Sequence, residues 1–193
     1  MKRRNLLLFP LAAGLSKAQG KQDGTVMAMV KLEVFSDFQC PGCKQLHETA
    51  LKQLREDFVT KGKIQLVHRE FPLPMHKYAR EAACLACAAD KLGKYGAVSD
   101  ALFLDQTQWA ETGKLDDTLK KVLSPAELVK VRALAKDPKV IAEVDADIAL
   151  GKKLMTQVQT PTMIFTRNGK SQPVPGVVSY PILRRYVEML LAQ

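Results

Sequence analysis

The stretch VKLEVFSDFQCPGCKQLH, residues 30–47, constrains this chain more than any other. Its first seven residues are apolar, β-branched or aromatic in the measure of a buried strand, and two cysteines follow almost at once. Pro41, between them, suits a first helical position, where its missing N–H has no partner to lose. Leu46, Leu51, Leu54 and Phe58 then recur at near-helical spacing and give the helix an apolar face. A strand that passes into a helix through Cys40-Pro41-Gly42-Cys43 sets the first sulfur at the helix N-terminus, where free N–H groups and the helix dipole favour negative charge. Cys40 is therefore the candidate nucleophile. Cys43, a turn further in, is the thiol that can attack a mixed disulfide on Cys40 and release the partner.

Two cysteines at this spacing also serve as metal clips or structural staples. A zinc site would recruit Cys84 and Cys87, but forty residues lie between Cys43 and Cys84, against roughly 15–20 in four-cysteine zinc patterns. No metal and no cofactor is implied. Cys84 and Cys87 fall three apart on an alanine-rich predicted helix, which places their Cβ atoms about 5–6 Å apart. A disulfide prefers about 3.5–4.5 Å, so bridging them would strain the helix. They read as small buried apolar residues, with a second redox pair or a soft-metal site as the alternative. His47 reads as a partly exposed helix residue, His68 and His76 as structural, and the lone Trp109 as packing.

KIQLVHRE (63–70) reads as a second strand and completes a right-handed β-α-β unit. The segment that follows carries helical signals only: AREAACLACAADKLGKY (79–95), a capping box with an inset proline at Ser124-Pro125-Ala126-Glu127, and a further start at Asp137-Pro138. TMIFTRNGKSQPVPG (162–176) then predicts two strands joined by an Asn-Gly type I′ turn, the second limited by Pro173 and Pro175. SYPILRRYVEMLLAQ predicts a closing amphipathic helix. The fold class is α/β, a β-α-β half and a β-β-α half around an inserted helical subdomain. Its segments are a signal at 1–18, a loose polar leader at 19–29, one half of the fold at 30–70, the insertion at 71–157 and the other half at 158–193.

MKRRNLLLFPLAAGLSKA has the layout of a cleavable export signal: Lys2, Arg3 and Arg4, an apolar run to Leu15 broken by Pro10, then small residues. The run is about half the ~20 residues a membrane span needs. Retention as an anchor and a twin-arginine route stay open. Lys and Arg number 29 against 20 Asp and Glu, a net charge of +9; cleavage after Ala18 removes Lys2, Arg3, Arg4 and Lys17 and leaves 25 against 20, or +5. Much of the basic excess thus belongs to the signal, and the remaining charges alternate in sign, which excludes a nucleic-acid surface. Export sets an oxidising context in which thiols become disulfides.

The blocks EVFSDFQCPGCKQLH, HREFPLPMHKYAREAACLACAADKLGKYGAVSDALF, TPTMIFTRNGK and GVVSYPILRRYVEMLL resemble successive parts of the DsbA-like branch of the thioredoxin superfamily. The resemblance implies a thioredoxin fold with a helical insertion and an exported, monomeric protein thiol:disulfide oxidoreductase with Cys40 and Cys43 as its catalytic and redox-disulfide pair. It implies periplasmic or extracytoplasmic location, reduced or unfolded exported proteins as substrates, and a membrane oxidase or reductase as recycling partner. Thr160 and Pro161 would form the cis-proline loop that binds substrate. One departure stands out: the family often carries a buried acid six residues before the first cysteine, where this chain has Val34. Glu33 is adjacent but alternates to the other face of the strand. Two other readings remain, a disulfide isomerase or reductase on the same fold and a non-catalytic metal carrier or peptide-binding chaperone.

Overall fold

The computed structural model describes residues 21–193. The expected signal at residues 1–18 lies outside the described residues. Strands β1 (Gln22–Asp23), β2 (Val30–Ser36), β3 (Ile64–Glu70), β4 (Thr162–Arg167) and β5 (Lys170–Pro175) form one sheet in the order β1-β3-β2-β4-β5. β2 and β3 run parallel with Val30 opposite Ile64, while β4 lies antiparallel to β2 on its other side, Glu33 opposite Ile164. The β4–β5 turn places Asn168 at φ 49° and Gly169 at φ 74°, the left-handed pair that a type I′ turn requires.

Helix α1 covers residues 41–59 and is not uniform: α-helical at Pro41–Leu46, it widens to a π turn at His47–Leu51, recovers at Lys52–Leu54 and widens again at Arg55–Val59. Its Leu46, Ala50, Leu51, Leu54, Phe58 and Val59 pack on one face of the sheet with Val30, Leu32, Val34, Ile64, Leu66, Met163 and Phe165. The final helix α8 (Tyr180–Leu191) adds Leu183, Val187 and Leu190 to that layer. Between β3 and β4 run α2 (Ala79–Asp90), α3 (Tyr95–Leu104), α4 (Gln106–Thr112), α5 (Leu115–Leu119), α6 (Pro125–Leu134) and α7 (Pro138–Leu154). Helix α7 returns along the opposite face of the sheet, where Phe35 and Ile164 meet Phe71 and Met155. The remaining insertion helices close a core of their own around Leu85, Leu102, Trp109, Leu115 and Leu119.

The leader expected to be loose before Val30 is held at residues 21–23. Gln22 and Asp23 pair with Val67 and Leu66 at the sheet edge, and Asp23 bonds Arg55 at 2.8 Å. Lys21 is buried, its ammonium 2.6 Å from Asp147 and 3.1 Å from Glu143. Polar composition suggested a free tail, but each of these polar groups has a specific partner, and paired charges can be buried where unpaired ones cannot. Among the described residues no helix is long and apolar enough to cross a membrane.

Candidate active site

Strand β2 ends at Ser36, and four residues later Cys40 caps helix α1 with Pro41 at its first position. The turn between them is fixed from inside by Asp37. Its buried carboxylate accepts the Gln39 N–H at 2.7 Å, the Leu73 N–H at 2.7 Å and a bond from His76 Nδ1 at 2.7 Å, which ties the cysteine turn to the loop after β3. The Asp37 N–H points at Cys43 Sγ, 3.4 Å away. His76, read as structural from the sequence, thus acts through Asp37. His47 pairs with Asp100 at 2.7 Å and lies against Phe103, so α1 is gripped by α3 one turn beyond Cys43.

The two thiols differ sharply in surroundings. Cys40 is 9 % exposed and Cys43 1 %. A hydrogen bond from the Cys43 thiol is the main reason the Cys40 pKa falls to about 5; burial opposes it, and Thr160 and the N–H groups of Cys43 and Gly42 assist. Burial pushes the Cys43 thiol up, and its contact with Cys40 pushes it further. The pair is built to hold one negative charge on the outer sulfur and a proton on the inner one. The Cys40 thiol also lies 3.4 Å from the Thr160 carbonyl.

The peptide bond between Thr160 and Pro161 is cis. Pro161 abuts the cysteine turn: a Cβ added to Gly42 would come 3.3 Å from Pro161 Cδ and 3.3 Å from Val177 Cγ2. The Thr160 hydroxyl is buried without a hydrogen-bond partner.

The structure does not join the second cysteine pair to this site. Cys84 and Cys87 are free and buried in a separate cluster with Ala83, Val140 and Val144. Cys87 lies 3.5 Å from the Lys21 ammonium, yet burial raises both thiols, so neither is a ready nucleophile. Among the described residues no group of three or more His, Cys, Asp or Glu side chains could hold a metal ion. Val34 is buried in the core and Glu33 turns to the other face, where Arg69 and Lys31 bind it at 2.5 Å and 2.8 Å. Trp109 is buried with its indole N–H on the Leu102 carbonyl.

Two residues of the site carried no signal in the sequence reading. Gln39 bonds the insertion on both sides of its amide, Nε2 to the Ala110 carbonyl at 3.3 Å and Oε1 from the Tyr78 N–H at 2.5 Å. Gln106, from α4, reaches the cysteine turn itself. Neither type of contact has a local pattern, because the partners lie far apart in the chain.

A thiol pair split into one low and one high pKa at a helix N-terminus, faced by a cis proline on a sheet of this order, defines a thioredoxin-fold dithiol protein. The Thioredoxin family model matches residues 18–172. The chain belongs to the thioredoxin family, and its fold is that of the DsbA-like branch. It is 32 % identical over 95 residues to the probable disulfide bond formation protein D of Bacillus cereus, a match covering 49 % of this chain and 40 % of that protein. The chain thus spans about two fifths of the length of that curated relative. Among solved structures it resembles alpha-DsbA1 of Wolbachia pipientis (TM-score 0.74, 20 % identity, 96 % of this chain and 94 % of that one). It also resembles a thioredoxin-like oxidoreductase of Silicibacter pomeroyi (TM-score 0.74, 26 % identity, 89 % and 92 %). BdbD of Bacillus subtilis is similar at TM-score 0.71 and 21 % identity, over 90 % of this chain and 94 % of that one.

Proposed function

We propose that this protein is an exported thiol:disulfide oxidoreductase that makes disulfides in reduced proteins outside the cytoplasm. The observation that carries the reading is the asymmetry of the pair, Cys40 lowered to about 5 beside a Cys43 thiol pushed up. In the oxidised protein a substrate thiolate attacks Cys40 Sγ, the Cys40–Cys43 bond breaks, and Cys43 leaves and takes up a proton. The substrate's second thiolate then attacks its own sulfur in the mixed disulfide and expels Cys40 as a thiolate. Two electrons pass from substrate to protein; one proton stays on Cys43 and the other goes to solvent. Reoxidation needs an electron acceptor, and a membrane oxidase is the partner this reading calls for. The Thr160–Pro161 loop lies beside Cys40, which supports a role for its backbone in pairing with an extended substrate segment.

The leaving group supports the oxidising direction. A Cys40 pKa of about 5 stabilises the reduced form at pH 7 by about 2.7 kcal/mol, or ~60 mV for a two-electron couple. A shift of this sign favours giving the disulfide away over reducing another. The test is to incubate a Cys43→Ser variant with a reduced secreted protein under mild oxidant, alongside equilibrium titration of the wild type against glutathione. We expect a covalent adduct through Cys40 and a potential well above thioredoxin's, which is about −270 mV. No adduct, or a potential near that value, overturns the oxidase reading.

A further inference from the structure

The helical insertion does more than cover the cysteine turn. Gln106, the first residue of α4, is buried, and its Nε2 donates to the Phe38 carbonyl at 2.6 Å and to the Cys40 carbonyl at 3.0 Å. The Cys40 carbonyl already accepts the N–H groups of Cys43 and Lys44, at 3.1 and 3.2 Å, and so closes the first turn of α1. Gln106 is its third donor. One amide group thereby pins the carbonyls of two residues on either side of Gln39, in a place where an unbonded amide would be costly to bury.

The consequence is electrostatic. The Cys40 carbonyl oxygen carries partial negative charge within the residue whose sulfur must carry a full one. A donor on that oxygen offsets part of this charge. It also fixes the Phe38–Gln39 and Cys40–Pro41 peptide planes, and with them where the sulfur sits relative to the N–H groups of Gly42 and Cys43. The groups that meet the sulfur directly are those two N–H groups, the Cys43 thiol and Thr160; Gln106 touches none of the reacting atoms.

We propose that Gln106 is a positioning residue for Cys40: the insertion lends its side-chain amide to the Phe38 and Cys40 carbonyls, and through them sets how well the turn holds charge on the sulfur. For its meaning in exchange chemistry this rests on the function proposed above; for its effect on the sulfur it rests on geometry alone.

The test compares Gln106→Met, which keeps length and helix propensity but donates nothing, with Gln106→Glu, which keeps shape but turns acceptors toward acceptors. In the full chain, the rate of Cys40 alkylation by iodoacetamide is followed against pH by peptide mass, and the equilibrium with glutathione is measured beside it. In Gln106→Met the alkylation midpoint should rise by about one pH unit, with a tenfold smaller equilibrium constant for giving up the disulfide, ~30 mV. Gln106→Glu should shift the midpoint further in the same direction. Lys121→Ala serves as control, because it removes the 2.6 Å bond to Asp105 at the start of α4 without touching either carbonyl; its midpoint should match wild type. Lowered melting temperature with an unmoved Cys40 midpoint in Gln106→Met would reduce Gln106 to a packing role and overturn the proposal. Should Gln106→Met fail to fold, Gln106→Leu, which likewise donates nothing and adds no charge, takes its place. Alkylation needs no protein substrate, so a wild type that forms no mixed disulfide would refute the oxidoreductase reading while leaving this inference to stand or fall on its own midpoint.

Discussion

At Gly151 helix α7 passes so close to the sheet that a methyl group has no room. An added Cβ would sit 2.6 and 2.7 Å from ring atoms of Phe71 and 2.9 Å from Phe35 Cδ1, and both rings are buried. Gly151→Ala should therefore destabilise the protein by about 1–3 kcal/mol, visible as a melting temperature lower by roughly 2–4 °C per kcal/mol. An unchanged melting temperature would mean the rings yield freely. At this scale the sequence is informative where chemistry is local. Cys40, Pro41, Gly42 and Cys43 are legible because strand, proline and helix adjoin in one short stretch. Gln106 and Gln39 are not, since a glutamine's bond to a carbonyl across the fold leaves no periodic trace. Lys21 misleads in the opposite way, because a lysine reads as solvated until its three-dimensional partners are known.

The elements themselves follow their local signals closely. β2 occupies Val30–Ser36, as its apolar run predicts, and α6 starts on Ser124 with the capping box complete, Glu127 N–H to Ser124 Oγ at 3.3 Å and Ser124 N–H to Glu127 Oε2 at 2.8 Å. Ser124→Ala should cost about 1 kcal/mol, measured as a lower denaturant midpoint with unchanged slope. The two π turns of α1 went unread, although their trace is in the spacing. Leu46 and Leu51 are five apart, a step that an α-helix would carry off the buried stripe and that the turn at His47–Leu51 restores. Such a step looks like ordinary scatter within a helical pattern, and only packing against a flat sheet gives it meaning.

For the molecule as a whole, the charge on Cys40 links folding to pH in the reduced form alone. The Cys40 pKa is lower in the folded state, about 5 against an ordinary 9.0. The unfolded chain thus binds more protons between these values, and stability rises with pH across that window. The contribution is fully present only above pH 9 and is lost as pH falls through 5; each unit in between is worth about 1.4 kcal/mol. Melting curves of the dithiol form should therefore climb relative to those of the disulfide form from pH 5 to pH 8. Parallel curves would mean that the sulfur carries no special charge. The order of strands and helices from β2 onward was legible from the chain, while the edge strand β1 was not. How the inserted helices hold the cysteine turn was not, since that is a matter of docking between segments that share no local pattern.

Lys21 anchors the amino-terminal side of the described fold. Its ammonium answers Asp147, which also takes Arg69 and the Glu70 N–H, so shortening the polypeptide beyond this position would remove one of the two cations on a buried carboxylate that lies beside a second buried acid. A truncation that removes residues 21–23 would therefore cost a buried ion pair and the edge strand together.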